Sequence, residues 1–156
     1  MNSEIWFELA DALKEPEDWN YRDDYLEAFV HPKTRIIPVE SLFRPWSEGE
    51  KTELPFARQK GYLLSDRALH MRELLNQYGL EIPPEMQETP DHLIIELEFL
   101  GFLLANGKGE EAKAFVGEHL DWVPELVEAA RRRLPVDNRY LRVLQEVEAK
   151  IKESFV

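Results

Sequence analysis

The sequence predicts an all-α fold, a single-domain helical bundle over residues 1–156, and three observations carry that prediction. Apolar residues recur at helical spacing almost throughout, and nothing alternates with period two over a useful length. Ser, Thr, Asp or Asn often precedes a periodic stretch, and Gly or Pro follows it. With 156 residues and 44% hydrophobic content, the chain can bury one core but not two ordinary domains.

Ile5, Trp6, Leu9 and Leu13 mark a first amphipathic helix that ends at Pro16. Tyr21 to Val30 forms a second, with Tyr25, Leu26, Phe29 and Val30 on one face and Pro32 as its stop. Residues 31–61 hold Pro32, Pro38, Pro45, Pro55, Gly49 and Gly61; so long a loop is either functional or partly helical. Its stretch from Ile36 to Trp46 is too apolar for an ordinary surface loop. Ser65-Asp66-Arg67 opens a helix with Leu69, Leu74, Leu75 and Tyr78 apolar, closed by Gly79. Thr89 caps the next helix, with Pro90 at its first position; it runs to about Ala105 and ends near Asn106-Gly107. Glu110 to His119 follows, then a tight corner at Leu120-Asp121-Trp122-Val123-Pro124. Asp137-Asn138 caps a last helix that reaches Phe155.

Charge narrows the function. The chain carries 31 acidic against 19 basic residues, a formal net charge of −12, the opposite of a nucleic-acid binder's footprint. From Glu81 to Glu128 there are twelve Asp and Glu against two Lys, which suits a positively charged peptide. The absence of cysteine excludes disulfides, thiolate zinc sites and cysteine nucleophiles. The N-terminus does not read as a secretory signal, and the most apolar window, Leu93 to Ala105, is too short to span a bilayer. A cytoplasmic protein without stable membrane insertion is expected.

Polar residues concentrate at one place. Asp91 favours the positive end of the helix dipole, and His92 and Glu96 fall one turn apart on one face. Burying such groups is costly unless they are paired. Two readings of His92 and Glu96 stay open: a structural bond across one turn, or contact with a bound peptide. A metal site has two or three plausible ligands in Asp91, His92 and Glu96, but no His-Glu-x-x-His spacing, and His31, His70 and His119 are scattered in sequence. No Gly-rich phosphate loop is present, Ser41 and Ser65 read as turn and cap, and nothing would anchor a nucleotide.

Three stretches, in order, resemble the TorD/DmsD/NarJ-like family of molybdoenzyme-maturation chaperones. The first is Tyr25-Leu26-Glu27-Ala28-Phe29-Val30-His31-Pro32 followed by Pro38-Val39-Glu40-Ser41-Leu42-Phe43. The second is Thr89-Pro90-Asp91-His92 with Glu96-Leu97-Glu98-Phe99-Leu100, and the third is His119-Leu120-Asp121-Trp122-Val123-Pro124. Pro90 adjoins Asp91 directly where the family pattern leaves a residue between, and His31 stands where glycine is common. The amino-terminal part is shorter than the family's, by one early helix or more.

The resemblance implies a TorD-like helical bundle that is not an enzyme and uses no cofactor. It would bind the leader peptide, in most members a twin-arginine export signal, and the apo-form of a molybdoenzyme catalytic subunit until the cofactor is inserted. Such a leader, basic and then apolar, calls for an apolar groove rimmed with carboxylates. The expected contact set is Glu40, Asp91, His92 and Glu96, with Tyr25, Pro38, Phe43 and Trp46 as apolar walls; Phe29 and Phe43 serve either core or groove. The alternative is a small helical metal-binding protein or enzyme that uses Asp91, His92 and Glu96. Both a monomer and a helix-swapped dimer, hinged at Glu81–Glu88, fit the sequence.

Overall fold

The computed structural model describes residues 2–44 and 63–156. Seven α-helices account for most of these residues, and the only β-type pairing among them is a single antiparallel bridge between Val39 and His92. The expected all-α class is what the chain adopts.

Helix α4 (Leu93–Ala105) is the centre. Apart from Glu96 and Glu98 it is apolar on every side, so most of it lies in the core; Leu93, Leu97, Leu100 and Leu103 are buried on it. Against it packs α1 (Glu4–Ala12), which buries Trp6, Leu9 and Ala10. The close approach requires Gly101, where a Cβ would sit 2.8–3.0 Å from the Phe7 ring. Helix α5 (Gly109–His119) also packs on α4, while α6 (Val123–Arg133) pairs with α7 (Arg139–Phe155). The inner face of α7 carries Tyr140, Leu141, Leu144, Val147 and Ile151 at helical spacing. Each fully buried aliphatic side chain of this kind stabilises the fold by about 1.5–3 kcal/mol.

Helix ends follow the sequence signals in part. Helix α3 (Asp66–Gln77) and α4 are followed by Gly79 and Gly107, at φ 69° and 72°, where only glycine is unstrained. There Leu80 N–H reaches back to Leu75 O and Lys108 N–H to Leu103 O, capping otherwise orphaned carbonyls. The buried face of α3 is Ala68, Met71 and Leu75; Leu69, expected on it, is 49% exposed.

The expected single helix from Tyr21 to Val30 is wound in three ways. A 3₁₀ turn (Trp19–Tyr21) leads into α2 (Arg22–Tyr25), which widens into a π turn (Leu26–Val30) closed by His31 N–H to Leu26 O at 2.7 Å. His31 precedes Pro32 and is therefore extended, so the helix stops there. The carbonyls of Glu27 and Ala28 instead accept Thr34 Oγ1 and Ile36 N–H, both at 2.6 Å, which turns the chain back along the helix.

The start of α4 also differs. The helix begins at Leu93 with His92 as its N-cap, and Thr89–His92 is a tight turn. The reason is tertiary: Glu40 N–H donates to Asp91 O and Leu93 N–H to Pro38 O, so residues 91–93 pair with the extended 38–40 segment. Two of the expected groove residues, Pro38 and Glu40, are buried by that pairing.

Candidate functional site

The pairing brings the polar residues of all three motifs into one interior network. Its first half is a serine–aspartate clasp. A 3₁₀ turn (Glu40–Phe43) aims Ser41 at Asp91, whose Oδ2 accepts both the Ser41 N–H and Oγ–H at 2.6 Å. Ser65 donates its N–H to Ser41 Oγ at 3.2 Å, and the two hydroxyls lie 2.7 Å apart. Leu64 takes a left-handed φ of 55° just before it, a conformation that costs a non-glycine residue about 1 kcal/mol. Ser65 is thus not the side-chain cap of α3; its hydroxyl is used in the clasp.

The second half is an acid–imidazole chain. His119, the last residue of α5, meets Glu40 Oε1 through Nδ1 at 2.9 Å and His70 Nδ1 through Nε2 at 2.6 Å. His119 thus uses both ring nitrogens, one toward the Glu40 carboxylate and one toward the His70 ring. Trp122 Nε1–H is shared between Glu96 Oε1 at 3.0 Å and His119 O at 2.7 Å. Arg44 Nε lies 2.5 Å from Glu40 Oε2, and its guanidinium also reaches the Asp121 carboxylate and Glu118 O. The 40–44 turn is therefore fastened to α4 at one end and to the α5–α6 corner at the other.

Glu40, Ser41, Ser65, Asp91, Glu96 and His119 are all fully buried. Burial pushes the Asp91 carboxyl above its ordinary value despite the two Ser41 hydrogen bonds that oppose it. Glu96 is pushed well above by burial, then by the neighbouring Glu40 and Asp91 charges, with the Trp122 bond opposing. Burial raises Glu40 too, but hydrogen bonds from His119 and Glu96 and the Arg44 charge outweigh it, and the net shift is downward. The two adjoining carboxyls thus share one proton, and their opposite shifts favour Glu96 as its holder. This resolves the position of Glu96 Oε2, which has no hydrogen-bond partner while read as an acceptor; protonated, it is a donor beside Glu40.

The expected contact residues fall into separate places. Glu40, Asp91 and Glu96 line the interior instead of a peptide's rim, because each is sealed by intramolecular partners. Of the two readings of His92 and Glu96, the side-chain bond across one turn is not formed: His92 Nδ1 accepts Ile94 N–H at 3.1 Å, and burial lowers its pKa to about 4. Tyr25 stacks edge-on with Phe29 and Tyr140, while Phe43 packs on Trp122, so they do not share a wall. Trp46 lies outside the described residues. Asp91, His92 and Glu96 point to three different partners and do not form a ligand set. One ligand atom each from Glu40, Glu96 and His119 does lie within 4.8 Å of the others, as is true of His70, Glu118 and His119. In the first set the remaining Glu40 and Glu96 oxygens are taken by Arg44 and Trp122.

His119, His70, Ser41, Ser65, Arg44 and Trp122 were missing from the expected site. A signal was available: several polar residues in three apolar motifs cannot all be buried unless they pair with one another.

Fold and site together define an all-helical protein whose motif residues clamp an extended segment against its central helix. The chain belongs to the nitrate reductase delta subunit family, whose model matches residues 2–128; the resemblance read from the motifs holds. It is 33% identical over 90 residues to a chaperone protein TorD of Vibrio cholerae, covering 48% of this chain and 41% of the relative. A chaperone protein TorD of Actinobacillus succinogenes is 35% identical over 81 residues, covering 50% and 42%. One from Photobacterium profundum is 31% identical over 114 residues, covering 65% and 47%. The chain spans less than half the length of these relatives. No helix among the described residues is long and apolar enough to cross a membrane.

Proposed function

We propose that this protein is a chaperone in the maturation of a molybdenum-containing oxidoreductase. It binds the leader peptide and the apo-form of the catalytic subunit until the cofactor is in place. The observation that carries this reading is the family match over residues 2–128, joined to relatives named as chaperones. The site agrees with a binding role: Glu40, Asp91, Glu96 and His119 are buried, and their partners hold structure together. The net charge of −12 suits a basic leader, drawing it in at long range. Of the expected contact set, His92, Tyr25 and Phe43 remain partly accessible, whereas Glu40, Asp91 and Glu96 would meet a peptide only if the clamp opened.

The test is calorimetric titration with synthetic twin-arginine leaders, at low and moderate salt, beside capture of whole apo-subunits. Saturable binding that weakens with salt is expected. Binding to neither leaders nor apo-subunits refutes the proposal; capture of an apo-subunit without leader binding keeps the chaperone and removes the leader.

A further inference from the structure

Two small clefts on the α3–α4–α5 surface differ from the other described clefts in having carboxylates and no Lys or Arg in their lining. The first, about 240 Å³, lies between the end of α3, the Leu80–Pro83 loop and α4, and is rimmed by Glu81 and Glu98. The second, about 210 Å³, lies between α3, α4 and α5 and is rimmed by Glu111 and Glu118. Phe99 lines both, and the Tyr78 ring stands edge-on at 5.6 Å from Phe99 and from Phe102, making an aromatic ridge between them. Neither is lined by Lys or Arg. The others described carry cations: Arg35 and Arg133 in one, Lys113 and Lys152 in the largest, Lys14 and Arg139 in a third.

The nearby cations leave most of the rim charge uncompensated: Lys14 pairs with Glu98 at 3.7 Å, Arg67 and Arg44 donate to the Glu118 main-chain carbonyl, and Arg72 donates to Gln87 O. The Glu111 and Glu118 side chains have no basic partner among the described residues. Pockets that enclose a drug-sized molecule run to about 300–1,000 Å³. At 240 and 210 Å³, each cleft suits one large apolar side chain instead. Half-buried Leu74, Tyr78, Leu80, Ile82 and Phe102 supply the apolar walls.

We infer that these paired clefts are the docking track for a peptide that presents two apolar side chains on one face beside Arg or Lys. The inference rests on the leader-binding reading and gives that leader an address. Desolvated apolar anchors supply most of the affinity, and the four rim carboxylates select for flanking positive charge. The interior clamp stays shut throughout.

The probe is a synthetic peptide of two arginines followed by a Leu- and Phe-rich stretch, with a second copy in which both arginines are Gln. Glu81 and Glu111 are exposed, so Glu81→Lys with Glu111→Lys leaves the fold intact. The control, Glu146→Lys with Glu153→Lys on exposed positions of α7, makes the same change in net charge. The rim variant should bind the arginine peptide at least about tenfold more weakly, and the control should stay within about twofold of the parent. The glutamine peptide should not distinguish the two variants. Equal weakening in both variants, or none in the rim variant, overturns the docking track while leader binding stands. If the parent protein binds neither peptide, the leader-binding reading itself fails and takes the track with it.

Discussion

Helices α4 and α7 both begin by holding on to a distant part of the chain, but with opposite chemistry. At the start of α7, Asn138 accepts Tyr140 N–H and Leu141 N–H through Oδ1, while its Nδ2 donates to Asp24 O at 3.1 Å and Glu27 Oε1 at 3.2 Å. One neutral amide caps its own helix and ties it to α2. At the start of α4 the two jobs are divided: His92 caps, and Asp91 binds Ser41, 50 residues away. An amide needs no counter-charge, so Asn138 caps α7 without carrying a buried charge of its own, although it also ties in the Glu27 carboxylate. A buried carboxylate brings a desolvation cost, and the α4 junction answers it with two donors at 2.6 Å and a proton on the neighbouring Glu96.

The comparison can be broken at several points. The largest effect is expected from His119→Ala, which deletes a fully buried ring and strips Glu40 of its imidazole partner; a loss of about 3–5 kcal/mol should appear in denaturant unfolding. Asp91→Ala leaves the buried Ser41 donors without an acceptor and should cost about 3 kcal/mol. Asp91→Asn, which retains an oxygen acceptor, should recover most of that loss; equal losses in the two variants would show that the hydrogen bonds are not what matters. Asn138→Ala should cost about 2 kcal/mol, at the upper end for a cap because the α2 tie goes with it.

The smallest effect is the sharpest test. Because Glu96 is raised in the folded protein, its contribution to stability is fully present below its unfolded value. That contribution is lost as pH climbs from there toward the folded value. Glu96→Gln keeps an oxygen for Trp122 but has nothing to titrate, so it should gain on the parent protein as pH rises through that window. Glu40, shifted down, works in the opposite direction and loses its contribution on acidification. Unfolding midpoints measured from pH 4 to pH 8 for the parent and Glu96→Gln would show the difference, and parallel curves would contradict the assignment of the shared proton.

The difference between the two junctions also explains what the sequence made legible. Asn138 was readable as a cap because its partners, Tyr140 and Leu141, are two and three residues away. Gly79 and Gly107 were readable for the same reason, since their φ is a local property. Asp91 looked like a helix-terminal acid because its true partner cannot be seen from nearby residues, and the pairing with 38–40 moved the helix start to Leu93. Ser65 satisfied every local criterion for a cap, yet a serine 24 residues away claims its hydroxyl. His70 and His119 looked scattered because 49 residues separate them, although they are hydrogen-bonded and stacked. The motifs identified the residues that matter; only the tertiary structure shows whether they face a ligand or one another.

The clamp also bears on the order in which the molecule assembles. Its bonds join residues 50 and 79 positions apart, whereas α4 with α5, and α6 with α7, are neighbours in sequence. Long loops must close before such bonds return any energy, so distant contacts form after local ones. The helical hairpins are expected first, and the 38–44 segment later, with the other long-range contacts such as α1 on α4. Sealing the buried carboxyls and the His119 imidazole away from water is then one of the late steps that commit the chain to its native state.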